Sequence, residues 1–448
     1  MDIAEVLKIA DDLMFGLTSK YLDNLQRSIV QGVWEGKTYK DIADHTDRSE
    51  GYIRDSAANL WQNISEAVGE NVRKSNFKSV VERNQFSIVS SHHIRVGDID
   101  RSHKDSLTLG RNEIGVKKDV GDNIPDLFPF YGRDLELDKL KQWIIEDKCR
   151  LIDIFGMSGI GKTALISQLA TQIRDEFECG IWQNLRSKRS LVDLIDRDLL
   201  PFLPIEIVVG SQSYPAAQIS LLIEQLSKHR CLIILDDIHH IFSNCSLAGT
   251  YEDHYQNYQD LFRRISESNH QSCLVLIGWE QPREFALSRS IHTLTLNRLD
   301  PVCQQQILKD RGVINGNACQ KEIDYYNGNP LWLNIIATTI KDLLGGRIND
   351  FCQDRQLFLT NDLKLIFQTQ YNRLSAIEQQ VLQVIATQDR SMSVSDLIIS
   401  SQILPNNLIE ALQSLGRRGL IDKQETEGGV LLDLQPILKE FILLLVNA

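Results

Sequence analysis

LIDIFGMSGIGKTALISQLATQIRDEF, residues 151–177, decides how this chain folds. Its first five residues are an apolar run of strand length, and the stretch from Ala164 onward carries apolar residues at helical spacing. Between them GMSGIGKT (156–163) satisfies GxxxxGK[ST], a P-loop, with glycines where a strand must turn tightly into a helix start. Backbone N–H groups at such a start have no intrahelical acceptor and point at an anion, and the helix dipole adds to the attraction. Gly156, Ser158, Gly159, Ile160, Gly161, Lys162, Thr163 and Ala164 are therefore the candidate phosphate cradle. Lys162 is expected to reach the β and γ phosphates and the Thr163 hydroxyl to ligate Mg²⁺.

Further strands follow at 180–185, 231–236, 273–278 and 292–296, separated by helical stretches, which predicts a parallel sheet covered by helices over residues 129–299. The strand LIILDD ends in Asp236 and Asp237. A carboxylate at the C-terminal end of a strand beside the first meets a metal directly or through water, so Asp236 joins Thr163 on the metal side. Asp237 is the candidate catalytic residue, orienting or deprotonating an attacking water. His239 and His240 read as loop or helix-start residues.

Helical sequence flanks this P-loop domain. In residues 1–83, Ile3, Val6, Leu7, Leu13 and Met14, then Leu22, Leu25, Ile29 and Val33, recur at helical spacing. Residues 38–64 read as helix, turn, helix: Ile42 and Ala43 face inward, Ser49 caps the second helix, and Ile53, Ala57, Leu60 and Trp61 form its buried stripe. Residues 84–128, with His92 and His93, are polar and aperiodic and read as a linker. Residues 300–365 form a helical subdomain around GNPL (328–331). In 366–448, helices near 376–388, 394–400 and 406–418 precede a hairpin, the order of a winged helix. The expected fold class is thus multidomain α and α/β. The terminal FILLLVNA (441–448) is too short to cross a bilayer and reads as a buried helix.

A net charge of −12 repels nucleic-acid phosphates on average, so DNA binding would need a local basic patch. The helix expected from Ser49 to Trp61 offers only Arg54, against Glu50 and Asp55, and the domain's partners are accordingly expected to be proteins rather than DNA. Eight scattered cysteines with no CxxC pair suit a reducing, cytoplasmic setting, and no apolar run is long enough for a membrane span.

FYGRD (130–134), the P-loop, LIILDD, GNPL and the closing winged-helix segment together resemble the NB-ARC class of STAND P-loop ATPases over residues 129–448. The stretch 23–55 and the NFKSVVER that follows later resemble the N-terminal helix-turn-helix domain of bacterial vWA-MoxR-associated proteins. The resemblance implies ATP or ADP with Mg²⁺, Arg133 in a segment near adenine and phosphates, and Pro330 against the base. It also implies a closed ADP form and an open ATP form that assembles into homo-oligomers.

Two departures bear on turnover. Ile277, Gly278 and Trp279 stand where relatives carry a polar residue and a γ-phosphate-sensing arginine, and an indole lacks the guanidinium fork. Leu434, Gln435 and Pro436 replace Met-His-Asp, leaving Gln435 to donate to a β phosphate. Nucleotide binding is expected, with hydrolysis at most slow. Relatives usually continue into a repeat-built sensor, expected here to be missing or on another subunit, since this sequence stops at Ala448. The expected role is a signalling switch with the helix-turn-helix as adaptor. Two rivals are a DNA-binding regulator controlled by the ATPase core and a non-hydrolysing scaffold stabilised by nucleotide.

Overall fold

The structure, a computed structural model, describes residues 22–34, 36–46, 48–68, 72–74, 77–78, 129–203, 214–314, 320–349, 359–426 and 429–446, with Val6, Leu7, Ala10 and Met14. The expected linker lies outside the described residues. Contacts divide the chain into two units, 1–96 and 97–448.

In the first unit α1 (Asn24–Trp34), α2 (Tyr39–Thr46) and α3 (Glu50–Val68) follow one another across short turns. Thr38 and Asp41 cap α2 reciprocally, and the Ser49 hydroxyl accepts the Tyr52 N–H at 3.3 Å at the start of α3. Ile29, Ile42, Ile53, Ala57 and Leu60 are buried, as the helical spacing requires. Gly32 lets α1 and α2 approach closely, since a Cβ there would lie 2.6 Å from Ile42 Cγ1. Trp61 buries its ring and donates its N–H to Tyr39 Oη at 2.8 Å.

The second unit begins with α4 (Asp134–Lys141), which continues to Glu146, and is centred on a sheet of β1 (Leu151–Phe155), β2 (Cys179–Asn184), β3 (Cys231–Asp236), β4 (Cys273–Gly278) and β5 (Ile291–Thr295). The strands are parallel, in the order β2-β3-β4-β1-β5. Side chains on β3 alternate: Ile233 and Leu235 enter one core, Leu232 and Ile234 the other, because both faces are covered. The covering helices include α5 (Lys162–Ile173), α6 (Pro215–Lys228) and α7 (Asn257–Glu267). The sequence led one to expect β3 beside β1, but β4 is inserted between them; since all three run parallel, the P-loop and the Asp236–Asp237 pair still emerge at the same, C-terminal end of the sheet.

Beyond the sheet come α8 (Pro301–Asp310), α9 (Gln320–Asp324) and α10 (Pro330–Leu344), then α11 (Asn361–Tyr371) and α12 (Ala376–Ala386). β6 (Met392–Ser393), α13 (Val394–Ser400), α14 (Pro405–Arg417), β7 (Asp422–Thr426), β8 (Gly429–Asp433) and α15 (Pro436–Val446) complete the chain, with β6, β8 and β7 forming a small antiparallel sheet. One continuous core runs from Trp332 through Phe367 and Val381 to Phe441. The terminal helix is only half the buried helix expected: Phe441 and Ile442 are covered, but Leu444 and Val446 are each 44% exposed, because α15 packs a single stripe.

Candidate functional site

The turn from β1 into α5 has the backbone that the glycine spacing demands. Gly156, Gly159 and Gly161 have φ of 148°, 78° and 100°, conformations that a side chain would strain. Gly159 also leaves no room, since a Cβ would lie 2.4 Å from Leu331 Cβ. Lys162 opens α5 with its ammonium buried, donating to Gly156 O at 2.8 Å and Met157 O at 2.9 Å. Burial lowers its pKa to about 8, against the attraction of Asp237 and Asp236. Thr163 Oγ1 donates to Asp236 Oδ2 at 3.1 Å, so the two candidate metal-side residues touch. Ser158 and Ala164 are half-buried on the turn and the first turn of α5, and Ile160 is buried.

The two adjacent carboxylates differ sharply. Asp236 is buried, and burial followed by the charge of Asp237 raises its pKa to about 7. Asp237 adopts a left-handed φ of 58°, which turns its side chain toward β2. There its Oδ2 receives Arg186 Nε at 2.6 Å and Asn184 Nδ2 at 2.8 Å. Burial pushes this carboxyl up, but the guanidinium and amide outweigh it and hold the group below its ordinary value. A carboxylate held so acidic orients a water better than it deprotonates one.

His239 lies in the short helical turn Ile238–Ile241 that opens directly after Asp237, one of the two placements expected from the sequence. Its ring is 1% exposed, and neither nitrogen has a hydrogen-bond partner among the described residues. It stacks on Trp279 with centroids 3.9 Å apart and planes 11° from parallel. Burial, then the neighbouring cations, holds its pKa well below the usual imidazole value, so it is neutral. At the place where the family resemblance led one to expect an arginine, Trp279 thus offers a stacked neutral ring and no charge.

Three other segments converge on the phosphate-type turn. Arg133, in a left-handed conformation before α4, spends its guanidinium on Glu136, Ile160 O and Asn297 O, clamping the turn from one side. Asn329 caps α10 with its oxygen and donates Nδ2 to Ser158 O at 2.9 Å, while Leu331 N–H reaches Gly159 O at 3.3 Å. Pro330 lies against Gly161, within 3.9 Å of where a Cβ would be. From the C-terminal part Gly419 faces Gly156, its Cβ position 3.6 Å from Gly156 Cα. Gln435, in the same part, is buried beside Asp422, whose carboxyl burial raises and Gln435 helps to lower. Of the residues singled out in the sequence, the turn, Asp236 and Pro330 come together here; Asn329 was marked only as part of GNPL, and Asn184, Arg186 and Gly419 were not marked at all. For Asn329 a signal existed, because Asn before Pro-Leu at a helix start is a cap pattern.

Residues 1–84 match the N-terminal helix-turn-helix family of vWA-MoxR associated proteins, and residues 133–255 match the NB-ARC domain. An uncharacterized WD repeat-containing protein of Nostoc sp. is 32% identical over 336 residues, 71% of this chain and 26% of its own length. An uncharacterized protein of Mycobacterium tuberculosis is 30% identical over 121 residues, 27% of this chain and 29% of its own. The chain thus spans between a quarter and a third of the length of these curated relatives. Among solved structures, a Walker-type ATPase of Pyrococcus abyssi aligns with 14% identity and a TM-score of 0.46, over 70% of this chain and 96% of that one.

Proposed function

We propose that this chain, which carries an NB-ARC domain behind a helix-turn-helix domain of the vWA-MoxR-associated type, is an adenine-nucleotide switch of the STAND kind. One observation carries the reading. The phosphate-type turn is touched both by the segment opening α10, through Asn329 and Leu331, and by the C-terminal part, through Gly419. A change in what the turn holds is therefore felt by both downstream parts.

The residues suit a nucleotide with its metal. A buried ammonium, exposed amides at the start of α5 and two neighbouring carboxylates leave the site short of an anion on one side and of a cation on the other. Thr163 and Asp236 would hold Mg²⁺, which neutralises phosphate charge when bound; among the described residues no group of three or more His, Cys, Asp or Glu side chains is placed to hold a metal alone. Lys162 would leave the turn carbonyls for phosphate oxygens, and Asp237, fixed by Arg186 and Asn184, would orient rather than activate water. Hydrolysis on this reading is slow.

ADP and ATP shift the closed and open forms only as far as their affinities for the two differ. Limited proteolysis and light scattering of the full chain with each nucleotide test this: distinct patterns are expected, and identical ones would replace the switch with the scaffold reading. The helix-turn-helix domain serves as a protein adaptor, for Arg54 is already paired with Glu50 at 2.6 Å. A salt-sensitive shift of genomic DNA would instead favour the DNA-binding regulator. No helix among the described residues is long and apolar enough to cross a membrane, and we place the switch in the cytoplasm.

A further inference from the structure

Directly after Trp279, Glu280 enters an enclosed cluster of charges. Its Oε1 accepts from Arg373 Nη2 at 2.6 Å, and its Oε2 meets Arg418 Nη1 at 2.8 Å and the Gly249 N–H at 3.1 Å. Arg418 Nε donates to Glu378 Oε1 at 3.0 Å, where Ser414 Oγ also donates at 2.7 Å. The second oxygen of Glu378 caps α12 through Ser375. Side-chain exposures of Glu280, Arg373, Arg418 and Glu378 are 1%, 11%, 6% and 0%. Two negative and two positive groups thus meet out of water.

The cluster joins two parts of the molecule. Glu280 and Gly249 belong with the parallel sheet, whereas Arg373, Glu378, Ser414 and Arg418 belong to the C-terminal helices. Backbone contacts run alongside: Cys245 N–H to Arg373 O at 3.0 Å and Gln281 N–H to Arg417 O at 3.1 Å. The cluster also touches the nucleotide site. Arg373 Nη2 donates to His239 O at 2.7 Å, three residues past Asp236, and Gly419 next to Arg418 is the residue facing Gly156.

A buried ion pair adds little stability over apolar packing, but removing one partner leaves an uncompensated charge in low dielectric. Complete separation of the two parts differs, because all four groups would then be hydrated. Such a cluster favours one fully engaged arrangement or full release over anything between, as a two-state element requires. Resting on the switch reading above, we propose that Glu280, Arg373, Arg418 and Glu378 form the latch that keeps the C-terminal part closed on the nucleotide site. Movement of the Asp236–His239 loop on nucleotide exchange releases it by pulling the His239 carbonyl from Arg373. The arginines that answer to the end of β4 are thus supplied by the C-terminal helices, while Trp279 occupies the sensor position itself.

The test uses the full chain with Glu280→Gln, which keeps shape and removes charge, and Arg373→Lys, which keeps charge and removes the fork. Fluorescent mant-ADP dissociation and the radius of gyration from small-angle scattering are the readouts. Glu280→Gln is expected to release mant-ADP about tenfold faster or more and to expand the ADP-bound chain, with Arg373→Lys in between. A Glu280→Gln, Arg418→Gln double variant is expected to release no faster than the worse single one. Wild-type release and wild-type dimensions in both single variants would overturn the latch. Should circular dichroism show Glu280→Gln unfolded, Arg373→Lys decides by the same two readouts. If the wild-type chain binds no mant-ADP, the switch reading fails; the latch is still decided by whether Glu280→Gln expands the nucleotide-free chain.

Discussion

Two buried charge clusters lie at neighbouring strand ends and are balanced in opposite ways. At the end of β3, Lys162 and Asp236 are both pushed toward neutrality by burial, to about 8 and about 7, and the lysine has only carbonyls to hold. At the end of β4, both oxygens of Glu280 and both of Glu378 meet donors. Within the chain the first cluster is left unbalanced, whereas the second is satisfied by its own residues; on the proposed reading, nucleotide and metal would supply what the first lacks. Substitutions in the first should therefore alter response to ligand, and those in the second should alter conformation with or without ligand.

The strongest way to break that contrast is Arg418→Ala. It leaves the two buried carboxylates of Glu280 and Glu378 with Arg373 as their one remaining guanidinium, and so one charge unneutralised; the expected cost is about 3–5 kcal/mol, seen as a lower denaturant midpoint with or without nucleotide. Next in size, Lys162→Ala should abolish thermal stabilisation by ATP or ADP, a loss of about 2.7 kcal/mol at a hundredfold excess over Kd, with little change in the ligand-free melt. An undiminished melting shift would remove Lys162 from the site.

Asp236→Asn sharpens the comparison through pH. The folded pKa of Asp236 is raised to about 7 from an ordinary 3.8, so the folded state holds the proton more tightly. Stability from this group is full below about pH 4 and declines until the folded carboxyl has ionised near pH 7. The ligand-free variant should thus melt above wild type at pH 7.5, by on the order of 2 kcal/mol, since part of the shift belongs to the pair with Asp237. The two should converge near pH 4, and equal melting at both pH values would show that burial does not strain the carboxylate. The smallest effect is expected for Asn329→Ala, about 1 kcal/mol from the lost cap, accompanied by weaker nucleotide stabilisation because Ser158 O loses its donor. Unaltered nucleotide stabilisation in that variant would separate the α10 cap from the phosphate-type turn.

What was legible in the sequence is what is local. LIDIF, the glycines and Lys162 lie within one strand, turn and helix start, so spacing alone placed them; β2 and β5 are each displaced by a single residue from the expected runs. The acidic pair was legible because an apolar run ends in it. Its different protonation was not, since Arg186 reaches Asp237 across 51 residues with no sequence pattern to announce it. The Glu280 cluster is less visible still: Arg373 lies 93 positions from Glu280, and Arg418 lies 172 positions from Ser246, whose carbonyl it also binds. Trp279 stood out on sequence as a missing arginine, yet the guanidinium groups near that strand end come from residues no motif marks.

The stacking of Trp279 on His239 has a practical side. An indole is a natural fluorophore, and this one is only half-buried, in ring-to-ring contact with an imidazole next to the Asp236–Asp237 pair. Emission from that single position, isolated by comparing the wild-type chain with Trp279→Phe, would report on occupancy in real time without any attached dye.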